Sequence, residues 1–244
     1  MASPTDSNSE SVVFDRAASF YDETRGFPPG VASRVASGLA EQLGLTPQSR
    51  VLEIGVGTGR IALPLRPHVG TYVGVDLSLP MMEVLRQKAE GDRIGLVQGD
   101  ITRLPLASAT FDLALAIHVF HLVSGWRDVV RELGRVLRPR GGVVINHFEG
   151  PDEIVRRWRS LLAQRGLTDQ GRTVGERDVS VIGAALSAEG FTERRDGVAA
   201  TWTRPARRAD TVEAPANRIW STTWDIPAPA FSPAVDYLRA WGGG

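Results

Sequence analysis

The sequence predicts a doubly wound α/β domain, in which a mostly parallel sheet carries helices on both faces. Between residues 49 and 150, short apolar segments alternate with segments of helical periodicity, which is the pattern of βαβ units. The apolar segments contain few polar residues, as expected of strands that helices cover on both sides. The first of them ends in three closely spaced glycines, an arrangement typical of a ligand-binding turn.

The alternation defines five strands and the helices between them. The predicted strands lie within residues 50–60 and at 71–76, 94–100, 111–117 and 142–148. Helices are predicted over 79–90 and 126–137, and Ser78 is the predicted N-cap of the first. After Gly150 the pattern changes to amphipathic helices at 152–165 and 178–189, a sixth strand at 197–203 and a last helix at 233–241.

These segments predict one α/β domain with additions at both ends. The expected parts are a disordered tail over 1–10, an N-terminal helical cap over 11–48, the ligand-binding α/β core over 49–150, and a C-terminal part of the same domain with substrate-side helices over 151–244. Five tryptophans indicate an aromatic substrate chamber under the later helices: Trp126, Trp158, Trp202, Trp220 and Trp224. Of these, Trp158 is expected to pack between helices.

The composition excludes several classes of function. Since 28 basic residues balance 28 acidic ones, no electrostatic argument favours nucleic acid or a membrane surface as a partner. The absence of cysteine excludes disulfides, thiolate catalysis and cysteine-ligated metals. The first ten residues do not resemble a secretory signal, and no apolar run approaches the ~20 residues of a membrane span. We therefore expect a cytoplasmic protein with a small-molecule substrate.

The glycine-rich turn VLEIGVGTGR is the strongest functional signal. Gly55, Gly57 and Gly59 follow a strand and open a helix, so they permit a tight turn and close approach of the backbone to a ligand. The dinucleotide fingerprint requires glycine or alanine where this chain has Arg60. Glu53 also suits a ligand with ammonium and sulfonium charges better than a pyrophosphate. The turn therefore argues against NAD.

Two aspartates follow the next strands at the same edge of the sheet. Asp76 ends the second strand and is placed to accept hydrogen bonds from both hydroxyls of a ribose. Asp100 follows the third strand and is predicted to accept from an adenine amino group, with Ile101 against the ring. The ribose assignment fits NAD and S-adenosylmethionine equally.

The order of motifs resembles that of class I S-adenosylmethionine-dependent methyltransferases. The resemblance rests on EIGVGTGR, GVDLSLPMMEVLRQK, QGDITRLPLASATFDLALAIHVFHLV and RELGRVLRPRGGVVIN, and is strongest to the group of quinone-biosynthesis and small-molecule methyltransferases. It covers residues 14–150 well and implies S-adenosylmethionine as the cofactor. The residues that it assigns to the cofactor are Glu53, Gly55, Gly57, Gly59, Asp76, Leu77, Met81, Asp100, Ile101, Ile117 and His118.

The resemblance also implies a lid formed by an N-terminal helix. The segment FYDETRG matches such a lid, so Tyr21 and Arg25 are expected to contact the cofactor's carboxylate or the substrate. For Tyr21, simple packing is the alternative.

Three histidines are candidate general bases, if the acceptor must lose a proton. His118 and His121 follow the fourth strand, and His147 ends the fifth. Each of them has the alternative of a neutral, hydrogen-bonded role. Their spacing gives no clear ligand set, so no metal is predicted.

One departure from the family concerns the end of the sheet. The family's sheet has seven strands, whereas no convincing last strand follows residue 203, apart from the short RIWSTTWDI. We therefore expect a chain that is truncated or divergent at its C-terminus.

The main expectation is methyl transfer to an oxygen, nitrogen or carbon atom of a small molecule. The alternatives are a non-methylating S-adenosylmethionine-binding protein and an NAD-dependent oxidoreductase. The sequence does not determine the oligomeric state.

Overall fold

The chain forms two compact units. The computed structural model describes residues 14–89, 91, 93–146, 153–164, 174–202, 213, 215–218, 223 and 226–242. One unit comprises residues 1–146 and 174–202, and the other comprises 147–173 and 203–244. Among the described residues, no helix has both the length and the apolar character needed to cross a membrane.

A five-stranded parallel sheet forms the centre of the first unit. Its strands are β1 (Arg50–Ile54), β2 (Thr71–Asp76), β3 (Ile94–Gln98), β4 (Phe111–Ala116) and β5 (Leu137–Ile145), in the order β3-β2-β1-β4-β5. Every neighbouring pair is parallel. The order changes direction between β1 and β4, and open α/β sheets bind ligands outside the carboxyl ends of the strands at such a point. The predicted doubly wound fold is confirmed.

Helices cover both faces of this sheet. In the part of the chain that the structure describes, the α-helices include α1 (Tyr21–Arg25), α2 (Val31–Gln42), α3 (Ala62–Leu65), α4 (Leu79–Lys88), α5 (Trp126–Val136), α6 (Glu153–Gln164), α7 (Val179–Ala188) and α8 (Ala228–Gly242), of which α6 and α8 belong to the second unit. Short 3-10 helices lie at Asp15–Ala17, Arg66–His68 and Phe120–Leu122. One buried apolar cluster joins the sheet to α5 and α7, and the other joins it to α2, α3 and α4. Ser78 accepts the Met81 N–H at 3.3 Å, which confirms it as the N-cap of α4.

Two predicted strands need correction. The fifth strand begins at Leu137, earlier than predicted, and its pairing with β4 shifts register between Phe111 and Leu113. The prediction of a sixth strand at 197–203 is wrong, since the described residues 197–202 form no strand. They run along α2 instead, where the Gln42 side chain donates to the Val198 carbonyl at 2.8 Å. The close approach needs a glycine, because a Cβ at Gly38 would lie 1.9 Å from the Ala199 carbonyl oxygen.

Helices α6 and α8 form the core of the second unit. Trp158 packs edge-on against Phe231, with 5.9 Å between ring centroids, and Leu162 and Leu238 are fully buried in the same cluster. The expected packing of Trp158 between helices is therefore confirmed, and the last helix begins at Ala228, before its predicted start. The predicted tail over 1–10 and most of RIWSTTWDI lie outside the described residues. The expectation of a missing last strand stays a prediction.

Candidate functional site

The glycine-rich turn after β1 has the conformation that its sequence predicted. Gly55, Gly57 and Gly59 have φ angles of +70°, +54° and +81°, in the left-handed region that favours glycine. The Gly55 N–H donates to the Val75 carbonyl at 2.8 Å, which ties the turn to β2. A Cβ at Gly59 would lie 2.2 Å from Cδ1 of Leu85 in α4. The turn therefore packs tightly against its neighbours on the side of α4.

Asp76 lies at the carboxyl end of β2 and holds the glycine-rich turn. Its Oδ2 accepts the Gly57 N–H at 2.7 Å, and its Oδ1 accepts the Ser78 N–H at 2.8 Å. Burial raises the pKa of Asp76, although backbone hydrogen bonds from Ser78, Gly57 and Leu77 oppose this shift. A carboxylate oxygen accepts two hydrogen bonds, so these contacts leave acceptor capacity on each oxygen. The arrangement fits a ligand that offers two neighbouring hydroxyls.

Glu53 is a buried carboxyl group at the end of β1. The Tyr72 hydroxyl donates to its Oε2 at 2.7 Å, and only 3% of the residue is exposed. Burial raises the pKa of Glu53 to about 8, although the hydrogen bond from Tyr72 and the charge of Arg60 both lower it. A second positive charge beside this carboxyl group would stabilise its ionised form. Glu53 is therefore suited to a cationic ligand group.

An N-terminal segment, residues 14–27, contacts the glycine-rich turn and α4. Asp22 accepts the Thr58 hydroxyl through Oδ1 and lies beside Lys88 Nζ through Oδ2, both at 2.6 Å. The Ser78 hydroxyl donates to Asp15 Oδ1, also at 2.6 Å. Two aspartates of this segment thus reach the turn and the start and end of α4.

Positively charged side chains lie near the same edge of the sheet. Arg60 Nη1 donates to the Arg25 carbonyl at 2.9 Å, and its guanidinium lies 5.2 Å from the centre of the Phe27 ring. Burial lowers the pKa of Arg25. The charge of Tyr21 opposes this shift, and the charge of Arg60 adds to it. The residue is nevertheless exposed to solvent, and a guanidinium stays charged at neutral pH. Such a group, crowded by protein yet open to solvent, suits an anionic ligand group.

The two predicted adenine contacts after β2 have different environments. Leu77 is 39% exposed beside Asp76, so it presents apolar surface to a ligand. Met81 is 3% exposed, and a Cβ at Gly57 would lie 3.3 Å from its Cε. Met81 is therefore buried and packs against the glycine-rich turn at Gly57.

Asp100 begins a tight turn after β3. Its Oδ1 accepts both the backbone N–H and the hydroxyl of Thr102 at 2.8 Å, and Ile101 is buried in the core. The carboxylate of Asp100 is half-buried at the predicted edge of the sheet. The adenine role of Asp100 stays a prediction.

A salt bridge between Glu132 and Arg135 on α5 supports the loop that follows Asp100. Glu132 Oε2 accepts the Leu104 N–H at 2.7 Å. Arg135 donates to the carbonyls of Leu104 and Leu106, at 2.9 and 2.7 Å, and to both carboxylate oxygens of Glu132. The hydrogen bond from Arg135 lowers the pKa of Glu132. The loop is therefore tied to a helix at several backbone groups.

The strands β4 and β5 bring His118 next to an asparagine that the sequence had not indicated. Asn146 Oδ1 accepts the His118 backbone N–H at 2.9 Å, and Asn146 Nδ2 lies 3.1 Å from His118 Nε2. Burial lowers the pKa of His118 to about 3, with further lowering by the charge of Arg60. Burial likewise lowers the pKa of His121 to about 4. Both imidazoles are neutral at physiological pH, and His147 lies outside the described residues.

The described parts of the predicted site lie together at the carboxyl edge of the sheet. The charge of Arg60 acts on both Glu53 and His118, and the charge of Arg25 acts on both histidines. Ile117, which follows β4, is half-buried against the core. No described group of three or more histidine, aspartate and glutamate side chains is arranged to hold a metal. The carboxylate of Asp76, the buried carboxyl group of Glu53 and the exposed Arg25 have the chemistry that a nucleoside with an amino-acid tail requires.

The tryptophans do not share one chamber among the described residues. Trp126 is the first residue of α5 and is buried in the core, which corrects its predicted substrate-side position. Trp202 is 44% exposed and packs edge-on against Phe27, with 5.4 Å between ring centroids. Trp220 and Trp224 lie outside the described residues.

The chain is similar to known methyltransferases. Residues 52–145 match the family model described as "Methyltransferase domain". The malonyl-[acyl-carrier protein] O-methyltransferase of Enterobacter lignolyticus is 31% identical over 160 residues, which are 65% of this chain and 61% of that protein. The ubiquinone/menaquinone biosynthesis C-methyltransferase UbiE of Syntrophotalea carbinolica is 34% identical over 145 residues, 57% of this chain and 61% of that protein.

A solved structure shares the fold over most of its length. The YcgJ protein of Bacillus subtilis has a TM-score of 0.61 at 24% identity, and the match covers 82% of this chain and 81% of that one. Residues 52–145 thus carry a methyltransferase domain, which confirms the predicted resemblance to S-adenosylmethionine-dependent methyltransferases and the cofactor that it implies. Its matches span about three fifths of the length of the two curated relatives.

Proposed function

We propose that this chain transfers a methyl group from S-adenosylmethionine to a small-molecule acceptor. The observation that carries the proposal is the contact between Asp76, at the end of β2, and Gly57, in the turn after β1. The strand order changes direction on the other side of β1, between β1 and β4. This contact joins the glycine-rich turn to a carboxylate that retains acceptor capacity for ribose hydroxyls. The buried Glu53 lies close enough for the charge of Asp76 to raise its pKa.

Each part of the cofactor would meet a residue of matching chemistry. Asp76 would accept the ribose hydroxyls, Leu77 would cover one face of the adenine, and Asp100 would accept from its amino group. The ammonium group would lie near Glu53, where a positive charge favours the carboxylate. The positive charge and exposure of Arg25 support its predicted contact with a carboxylate. The turn glycines and the backbone at Ile117 would approach the methionine part.

The protein's own contribution to methyl transfer is placement and exclusion of water. When bound, S-adenosylmethionine supplies a methyl group on a sulfonium, an intrinsically reactive centre. The rigid turn and the acidic side chains would orient that centre toward the acceptor. The N-terminal segment, tied to Thr58 and Lys88 through Asp22, would shield it from solvent.

The acceptor follows less directly from the site. The relatives' names include a malonyl-[acyl-carrier protein] O-methyltransferase and a ubiquinone/menaquinone biosynthesis C-methyltransferase. Positive charge from Arg25 and Arg60 supports an acceptor with an anionic oxygen. The first acceptors to test are therefore a dicarboxylic acid monothioester, which keeps one free carboxylate, and a hydroquinone. A cytoplasmic location, and the absence of nucleic acid as a partner, stay predictions.

The test is calorimetric titration with S-adenosylhomocysteine and, in parallel, with NADH, followed by transfer of a radiolabelled methyl group to the two acceptors. Micromolar binding of S-adenosylhomocysteine alone, with labelled product from either acceptor, supports the proposal. Binding of NADH instead would contradict it. Tight binding of S-adenosylhomocysteine with no product from a broad acceptor panel favours a non-methylating role.

A further inference from the structure

The backbone at His118 is held in an unusual conformation by Asn146. His118 has φ = +59°, in the left-handed region that few non-glycine residues adopt. It follows β4, whereas Asn146 follows β5, and the last paired residues of these strands are Ala116 and Ile145. The side chain of Asn146 therefore reaches the backbone N–H of His118 from the neighbouring strand, at 2.9 Å.

This backbone contact fixes the orientation of the asparagine amide. A backbone N–H is always a donor, so the atom that it meets must be the amide oxygen of Asn146. The amide nitrogen, a donor with two hydrogens, then faces His118 Nε2 at 3.1 Å. Two donors cannot share a hydrogen bond, and Nε2 must therefore be the unprotonated acceptor.

We infer that Asn146 is a positioning residue that holds His118 as the neutral tautomer with its proton on Nδ1. The imidazole then presents Nδ1–H as a hydrogen-bond donor, and its basic nitrogen is occupied by the amide. This assignment excludes the expected general-base role for His118 through Nε2. Burial and the positive charges of Arg60 and Arg25 favour the same neutral imidazole.

The consequence for catalysis rests on the proposed function. An acceptor that is already anionic needs no base to remove a proton. When S-adenosylmethionine is saturating, so that Glu53 of the ligand-free chain does not contribute, the pH profile of kcat/KM for the acceptor is expected to show no histidine-like rise between about pH 6 and 8.

The direct test is NMR of the full chain with ¹⁵N-labelled histidine, which separates protonated from unprotonated ring nitrogens. The signals of His118 are assigned by their loss in His118→Gln. The expected result is an unprotonated Nε2, a protonated Nδ1 and no titration above about pH 5. An Nε2–H tautomer, or a titration near the ordinary midpoint of ~6.5, overturns the inference.

Asn146→Asp reverses the chemistry at nearly constant shape. A carboxylate at this position accepts from Nε2–H, so the titration midpoint of His118 should rise to about 6.5 or above. Gln48→Glu makes the same amide-to-acid change at an exposed residue before β1, and should leave His118 unchanged. If Asn146→Asp fails to fold, the tautomer of the unaltered chain still decides the question.

The NMR result does not depend on turnover. A chain with the expected tautomer but no methyl transfer would contradict the proposed function and leave this inference standing. With an active chain, a pH-dependent profile in Asn146→Asp and a flat one in Gln48→Glu separates positioning of His118 from a merely structural effect.

Discussion

At the scale of single residues, the site is built from carboxyl groups in contrasting surroundings. Asp76 accepts two backbone hydrogen bonds, which stabilise its charge. Glu53 has one hydroxyl donor and almost no exposure, so its proton is held more strongly. The first is arranged to bind hydroxyls, whereas the second ionises most readily when a positive charge approaches.

Asp76→Asn should weaken binding of S-adenosylhomocysteine about 10- to 100-fold, the size expected for loss of charged hydrogen bonds. An amide can accept at only one of its two ends, so it cannot serve both the turn and a ribose as the carboxylate does. Calorimetric titration measures the change. Asp196→Asn, at an exposed carboxylate of the same unit, is the matched control and should bind normally. Unchanged affinity in Asp76→Asn would contradict the ribose assignment.

Glu53→Gln should remove a pH dependence of stability. The folded chain binds this proton with a pKa of about 8, against an ordinary value of 4.5. The folded state therefore holds more protons than the unfolded state between these values, and the free energy of unfolding falls as pH rises through them. Between about pH 6.5 and 8 the loss should be roughly 1–2 kcal/mol, a window in which His118 is already neutral.

Urea denaturation of the ligand-free chain at several pH values measures this dependence. Glutamine keeps an acceptor for Tyr72, so the variant should fold and show a flatter profile. Glu41→Gln, at an exposed position on α2, should retain the slope of the unaltered chain. Parallel profiles for Glu53→Gln and the unaltered chain would show that Glu53 ionises normally.

At the scale of elements, the site depends on loops that helices hold from behind. The loop after β3 contributes Asp100, while α5 supplies Glu132 and Arg135 to its backbone. These two residues are one helical turn apart and form a pair with two hydrogen bonds. The helix thereby orders a loop that forms neither a helix nor a strand.

Arg135→Met should destabilise the chain by roughly 1–3 kcal/mol, because the carbonyls of Leu104 and Leu106 lose their donors. It should also weaken S-adenosylhomocysteine binding, since Asp100 precedes the released loop. Arg131→Met is the matched control: Arg131 is on the same helix and pairs with Asp128 in an exposed contact. That change should stay within ~0.5 kcal/mol. Urea denaturation and calorimetry measure both variants. Equal effects would show that the hydrogen bonds from Arg135 to the loop do not stabilise it.

At the scale of the whole molecule, local patterns determine most of what the sequence could predict. The five parallel strands follow from apolar runs and turns, and the glycine-rich turn follows from spacing alone. The segment 197–202 has a strand-like composition, yet its position along α2 depends on the distant Gly38. The pairing of Asn146 with His118 depends on the ends of two strands that lie far apart in sequence. Its one signal in the sequence is the polar end of the fifth strand, where His147 is the predicted functional residue and Asn146 is its neighbour.

Among the 28 basic residues of the chain, Lys88 is the only lysine. Its ammonium group pairs with Asp22, and the lysine and aspartate side chains are 33% and 41% exposed. Apart from the α-amino group, an amine-selective dye therefore has a single point of attachment, at the contact between α4 and the N-terminal segment. Labelling chemistry that needs an engineered residue in other proteins finds a natural handle here, and its rate of reaction reports whether that contact is closed.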